Sequence, residues 1–216
     1  MPEFIYIMDL IGTIAFAISG AMLAVKKDMD IFGIMILALT TATGGGFIRD
    51  LTIGNIPPAV FQNPVYIILS FLTALVVFFV IRYVRKGDRL LGLIRVYEKL
   101  LLITDSLGLA AFTVDGVYAG RTVTKTNAFL MIFLGVITGV GGGILRDLFA
   151  AQKPYIFVRH VYALASVAGA VVTALLPAWI GWPKSIIIGF IVVLLIRYLA
   201  AHFRWNLPRA LPDGEL

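Results

Sequence analysis

Long apolar runs separated by short polar punctuation dominate the chain. The first extends from Phe4 to Val25 and closes at Lys26, Lys27 and Asp28. Others run from Ile31 to about Gly54, Val65 to Val84, Leu100 to Gly120, Thr126 to about Ala151, Tyr155 to Leu176 and Lys184 to Phe203. Each approaches the ~20 residues that a helix needs to cross a hydrocarbon core of ~30 Å. The pattern predicts an all-α polytopic membrane protein, a single membrane domain over 1–216 with seven transmembrane helices. The first run lacks a basic leader and is too long for a cleaved signal peptide, so it reads as a membrane helix. The seventh has an uncharged centre of only Ser185 to Ile196, so Lys184 and Arg197 are expected to snorkel toward the two interfaces.

Composition supports this class. The 216 residues are 60% hydrophobic and 14% charged, with a mean hydropathy of +0.98, against ~25% charged in an ordinary globular domain. No stretch remains for a separate water-soluble domain, which excludes soluble nucleotide-binding, nucleic-acid-binding and secreted disulfide folds. The net charge of +6 then records orientation and contact with anionic lipid. On one side stand Lys26, Lys27, Arg82, Arg85, Lys86, Arg89, Arg95, Lys99, Lys153, Arg159, Arg197, Arg204 and Arg209, and on the other only Arg121, Lys125 and Lys184. By the positive-inside rule the N-terminus is outside and the C-terminus cytoplasmic. Cys is absent, so thiolate metal sites and thiol nucleophiles are excluded.

Two segments copy each other. Gly44-Gly45-Gly46-Phe47-Ile48-Arg49-Asp50 returns as Gly141-Gly142-Gly143-Ile144-Leu145-Arg146-Asp147. The match extends upstream, where Asp9, Gly12, Phe16 and Gly20 correspond to Asp105, Gly108, Phe112 and Gly116, and downstream, where Val65, Tyr66 and Ser70 correspond to Val161, Tyr162 and Ser166. Each copy, 4–84 and 100–176, holds three helices. Three is odd, so the second copy enters from the opposite face, giving an inverted 3+3 repeat plus an extra helix over 184–203. Such pairs build permeation pathways centred near the midplane; the plainer alternative is duplication as a route to a stable bundle.

Three successive glycines weaken a helix by about 1 kcal/mol each relative to Ala and permit a kink or local unwinding, which at membrane depth requires burial in protein or a water-lined cavity. The second and fifth helices are therefore expected to break and line a pore; the alternative is close packing through small residues, which Gly116-x-x-x-Gly120 and Gly135-x-x-x-Gly139 represent. Arg49, about 27 Å along its helix at ~1.5 Å per residue, lies near the outer mouth with Asp9. Arg146 and Asp105 share the inner side. Intramembrane charges are usually paired or face water, so an outer pair Asp9–Arg49 and an inner pair Asp105–Arg146 are expected, either structural or gating. Asp50 and Asp147 point ~100° away from their arginines and are candidates to hold a helix end or a lipid head group. Asp115, about 15 Å deeper than Asp105, corresponds to Ser19 rather than to an acid, and reads as an unpaired carboxylate that attracts cations, or else as a hydrogen-bonded structural one. Ser19, Ser70 and Ser166 complete the candidate pore oxygens. His160 and His202 lack metal-ligand spacing, so no metal or other cofactor is expected beyond permeant potassium or sodium ions and bound lipid. Trp179, Trp182 and Trp205 fit an interfacial belt, and the basic stretch Arg82 to Lys99 fits anionic lipid. With no catalytic triad, carboxylate dyad or phosphate loop, no enzyme activity is expected.

The doubled Gly-Gly-Gly-x-x-Arg-Asp, the three-plus-three-plus-one plan and the size resemble the trimeric intracellular cation (TRIC) channel family in its short prokaryotic form, which overlaps a bacterial family labelled as glycine transporters. The resemblance covers practically the whole chain. It implies a homotrimer in the plasma membrane of a prokaryote, with one pore per protomer conducting monovalent cations, chiefly potassium, and lined by the broken helices. In animal relatives basic residues bind phosphoinositide; here Arg-Asp replaces the motif that follows the glycines. The alternative function is a secondary transporter of a small neutral solute such as glycine, its carboxylate held by helix N-termini at the breaks.

Overall fold

The computed structural model describes residues 2–85, 90–124, 126–158 and 161–205, and within these not the side chains at 2, 84–97 and 158. Lys86, Arg89, Lys125, Arg159, His160 and Arg209 therefore lie outside the described residues, as do the side chains of Arg85 and Arg95.

The described chain is all helix: α1 (Pro2–Lys26), α2 (Ile31–Thr52), α3 (Ala59–Gln62), α4 (Val65–Arg85), α5 (Leu90–Val123), α6 (Ala128–Phe149), α7 (Tyr155–Val158), α8 (Tyr162–Leu175), α9 (Pro177–Ile180) and α10 (Trp182–His202). Six of them, α1, α2, α4, α5, α6 and α10, contain apolar stretches long enough to cross a bilayer. The expected continuous helix from Tyr155 to Leu176 is instead two pieces. Its N-terminal turn, α7, is tethered to the end of α6 by the Tyr155 amide, and Val161 adopts a left-handed conformation (φ 47°, ψ 40°) before α8 begins. At ~1.5 Å per residue, the 14 residues of α8 span only about 21 Å. A second correction concerns the basic stretch: α5 starts at Leu90, ten residues before the expected Leu100, so 90–99 is helix rather than loop.

Sequence equivalence between the copies becomes structural equivalence. Asp30 and Asn127 are corresponding N-caps, accepting from the amides of Gly33 at 2.7 Å and Leu130 at 3.0 Å. Such caps satisfy amides that lack intrahelical partners. At the other ends, the Ile53 amide donates to the Arg49 carbonyl and the Ala150 amide to the Arg146 carbonyl. α1 packs along α5, and α2 crosses α6. The contacts are reciprocal. Phe16 and Phe112 meet with ring centroids 5.2 Å apart, and Gly12 faces Phe112 as Gly108 faces Phe16.

The triple glycines lie at the crossing of α2 and α6, and both helices run through them unbroken. The expected break is therefore corrected. A Cβ on Gly45 would strike the Thr138 carbonyl oxygen, and one on Gly142 the Thr41 carbonyl oxygen, while Gly141 packs against the Gly45 backbone. Small residues let the two backbones touch, and that contact supports the helix that glycine would otherwise weaken. Only the third glycine of each triplet turns away from the crossing, toward a charge cluster. α10 stands outside the repeat and docks on α8 and α5, with Gly189 and Gly169 meeting each other's backbone.

Candidate functional site: two charge clusters

Each copy carries an arginine one turn beyond its glycines and an acid next to it. In the first cluster, Arg49 Nε donates to Asp50 Oδ1 at 2.9 Å and Nη1 donates to Asp115 Oδ2. Asp50 Oδ2 in turn accepts from the Ala59 amide at 2.7 Å, holding the start of α3. Asp9 faces the Tyr66 hydroxyl across the same space. In the second cluster, Arg146 Nε donates to Asp147 Oδ1 at 2.9 Å, and Nη1 donates to both Asp105 Oδ1 and Ser19 Oγ at 2.5 Å. Asp147 Oδ2 accepts from the Tyr155 amide at 2.8 Å, and its Oδ1 from Gln152 Nε2 at 3.0 Å. Both Asp50 and Asp147 thus fold back onto their own arginine while holding a helix end.

The expected inner pair, Asp105–Arg146, forms. The expected outer pair does not. Arg49 binds Asp115, which occupies the position equivalent to Ser19, and a carboxylate there makes a charge-assisted bond that a hydroxyl cannot match. Asp115 is accordingly paired rather than unpaired. Asp9 lines the same cavity without pairing to Arg49.

The clusters differ in access. Arg49 and Asp115 retain 12% and 10% side-chain exposure, whereas Arg146 and Asp105 retain 1% each. A narrow cavity of about 30 Å³ is lined by Asp9, Thr13, Thr43, Gly46, Arg49, Asp50, Tyr66, Phe112 and Asp115. A wider mouth of about 430 Å³ lies between the ends of α2 and α5, lined by Asn55, Tyr118, Thr122 and others. Arg49, Asp50 and Asp115 line both, so the two cavities adjoin at this ion pair. Gly46 faces the arginine with room to spare: a Cβ there would lie 3.7 Å from Arg49 Nη2, an ordinary contact.

The second cluster is closed by aromatic rings and a further arginine. Arg146 lies over the Tyr155 ring at 5.1 Å, and Tyr162 donates to Asp105 Oδ1 at 3.5 Å. Arg197 of α10, expected to snorkel toward the interface, is 2% exposed. Its Nε donates to Ser106 Oγ at 3.2 Å, its Nη2 sits 3.8 Å from Asp105 Oδ2, and its guanidinium lies 4.7 Å from the centre of the Tyr162 ring.

Among the other candidates, Ser70 is buried and donates to the Tyr66 carbonyl at 2.7 Å, and Ser166 pairs with Thr113 at 2.7 Å. Neither lines the two cavities described. Gly44, Gly45, Gly141 and Gly142 serve the helix crossing, while Gly143 faces Tyr162 and Arg146. Tyr66 and Tyr162 are site residues that went unassigned, although their correspondence within the repeat marked them. Arg197 carried no such signal. Trp179 is exposed, and Trp182 lies 4.4 Å under Arg121 and edge-on to Tyr118. Among the described residues, no three His, Asp or Glu are placed to hold a metal ion.

Comparison with known proteins places this architecture. The family model for the glycine transporter matches twice, over residues 6–82 and 102–178. The chain belongs to this TRIC-like family. A UPF0126 membrane protein of Deinococcus radiodurans is 36% identical over 99% of this chain and 95% of its own length. The UPF0126 inner membrane protein YadS of Escherichia coli is 34% identical over 94% and 95%. Among solved structures, a TRIC cation channel studied for its conductance superposes with a TM-score of 0.81 at 36% identity, covering 96% of this chain and 98% of that one. The trimeric intracellular cation channel orthologue of Rhodobacter sphaeroides gives 0.83 at 29% identity, over 94% and 99%. The relatives are membrane proteins and the structural neighbours cation channels.

Proposed function

We propose that this protein is a passive channel for monovalent cations, chiefly potassium, assembled as a homotrimer with one path through each protomer. The observation that carries the reading is the junction of two cavities at Arg49: three carboxylates, Asp9, Asp50 and Asp115, line the space around one guanidinium where a narrow cavity adjoins a wider one. Such a site attracts cations through its excess negative charge, yet the arginine keeps binding weak enough for release, the balance that conduction requires. The conducting neighbours support the same reading. An inverted relation between the two copies is supported by the reciprocal contacts of Phe16 with Phe112 and of Gly45 with Gly142 across the α2–α6 crossing. Charge distribution favours an outer N-terminus, which puts the Arg49 cluster on the outer side, and the basic stretch Arg82 to Lys99 against anionic lipid.

Glycine transport has less support. That mechanism calls for helix N-termini at midmembrane breaks to hold the carboxylate, and α2 and α6 are continuous there. Planar-bilayer recording of the purified protein tests the reading. Single-channel currents whose reversal potential in a KCl gradient follows potassium rather than chloride are expected. Silent membranes, with saturable counterflow of labelled glycine in proteoliposomes, would overturn it.

A further inference from the structure

The two clusters carry the same motif but differ in electrical balance, the first acidic and the second neutral, and the difference has two sources. At the position where the first cluster has Asp115, the second has Ser19. The second cluster also receives an arginine that the first lacks, Arg197, from a helix with no copy in the repeat. Among the described residues, the first cluster holds Arg49 against Asp50 and Asp115, with Asp9 lining the same cavity, and the second holds Arg146 and Arg197 against Asp105 and Asp147. Arg197 is poised for this role. It reaches the Asp105 oxygen that Arg146 does not bind, Oδ2, which has no hydrogen-bond partner of its own. Ser106 and the Tyr162 ring fix the guanidinium beside it.

We infer that α10, through Arg197, neutralises the sealed charge cluster at the end of the repeat opposite Arg49, so that cations are concentrated only at the Arg49 end and the channel is electrically one-sided. This rests on the cation-channel reading above. Arg197 acts as a positioning and selectivity-setting residue: it does not meet the ion, but removes the field that Asp105 would otherwise present to it. Charge at one mouth raises local cation supply from that side, an effect screened over ~10 Å at 0.1 M salt and ~3 Å at 1 M.

Single-channel currents of the full-length protein, recorded in planar bilayers at equal and opposite voltages, test the inference. In 0.1 M KCl the wild-type currents should be unequal by roughly twofold, and in 1 M KCl nearly equal. Arg197→Gln should move the ratio at 0.1 M toward one, whereas Arg197→Lys, which keeps the charge, should retain the wild-type ratio. Ser19→Asp, which restores the repeat's symmetry by adding a carboxylate beside Arg146, should also move the ratio toward one and serves if Arg197→Gln does not assemble. Equal wild-type currents at 0.1 M would overturn the inference, as would a wild-type ratio in an assembled Arg197→Gln or Ser19→Asp channel, or an Arg197→Lys channel that behaves like Arg197→Gln. Wild-type membranes without any current would instead overturn the channel reading itself.

Discussion

The Arg49 and Arg146 clusters are built from one motif on equivalent helix ends, yet one walls a cavity and the other is sealed. In both, the arginine Nε binds the next residue's carboxylate, and that carboxylate holds the amide that starts a short helix. What differs is the surroundings. Ser19 and Asp105 converge on Arg146, while Tyr155, Tyr162 and Arg197 exclude water from the group. Arg49 has Asp115 alone at its far side, with Asp9 left facing the Tyr66 hydroxyl in the narrow cavity. A shared motif thus supplies a common scaffold, and one polar exchange plus one added helix decides whether its charges are sealed in or border a cavity.

The largest effect that could break this comparison is removal of the arginines. Arg146→Ala leaves Asp105 and Asp147 buried without their main partner and should cost about 3–5 kcal/mol. Arg49→Ala, whose acids border a cavity and can be rehydrated, should cost about 1–2 kcal/mol. Thermal unfolding in detergent checks both; equal losses would erase the distinction between a sealed and an open cluster.

Next come the glycines. Gly45→Ala and Gly142→Ala each push a methyl into a facing carbonyl at the helix crossing and should each cost about 1–3 kcal/mol. Gly46→Ala and Gly143→Ala should separate. The first meets nothing closer than 3.7 Å, whereas the second meets the Tyr162 hydroxyl at 3.0 Å. The same unfolding series should therefore find Gly46→Ala near neutral and Gly143→Ala measurably destabilising; the reverse order would contradict the geometry of both sites.

The smallest expected effect is at the helix tethers. Asp50→Asn and Asp147→Asn each weaken a charge-assisted bond to a backbone amide, worth about 1 kcal/mol. The loss at 147 should be the greater, because Asp147 also holds Gln152. Hydrogen exchange at the Ala59 and Tyr155 amides should report it directly.

Much of this was legible in the residues. Six of the spans, the repeat and the Asp105–Arg146 pair follow from hydropathy and spacing, since membrane depth permits few states for a charge. The unbroken α2 and α6 were not legible, because glycine's weak helix propensity is overridden by backbone contact across a crossing that only the fold creates. Nor was the choice of Asp115 over Asp9 by Arg49, since depth along a helix says nothing of which face the side chain leaves. Arg197 looked like an interfacial anchor because its partners, Asp105, Ser106 and Tyr162, lie far away in sequence. Tyr155 to Leu176 read as one helix because hydropathy does not register a tether such as that between Tyr155 and Asp147.

The central claim is that the acidic wall at Arg49 lies on the cation path, and the conductance of Asp115→Asn against wild type in potassium chloride tests it most directly. Conductance should fall roughly twofold or more at 0.1 M, with the deficit shrinking at 1 M as screening replaces the missing charge. Equal conductance of the two proteins at both salt concentrations would contradict it.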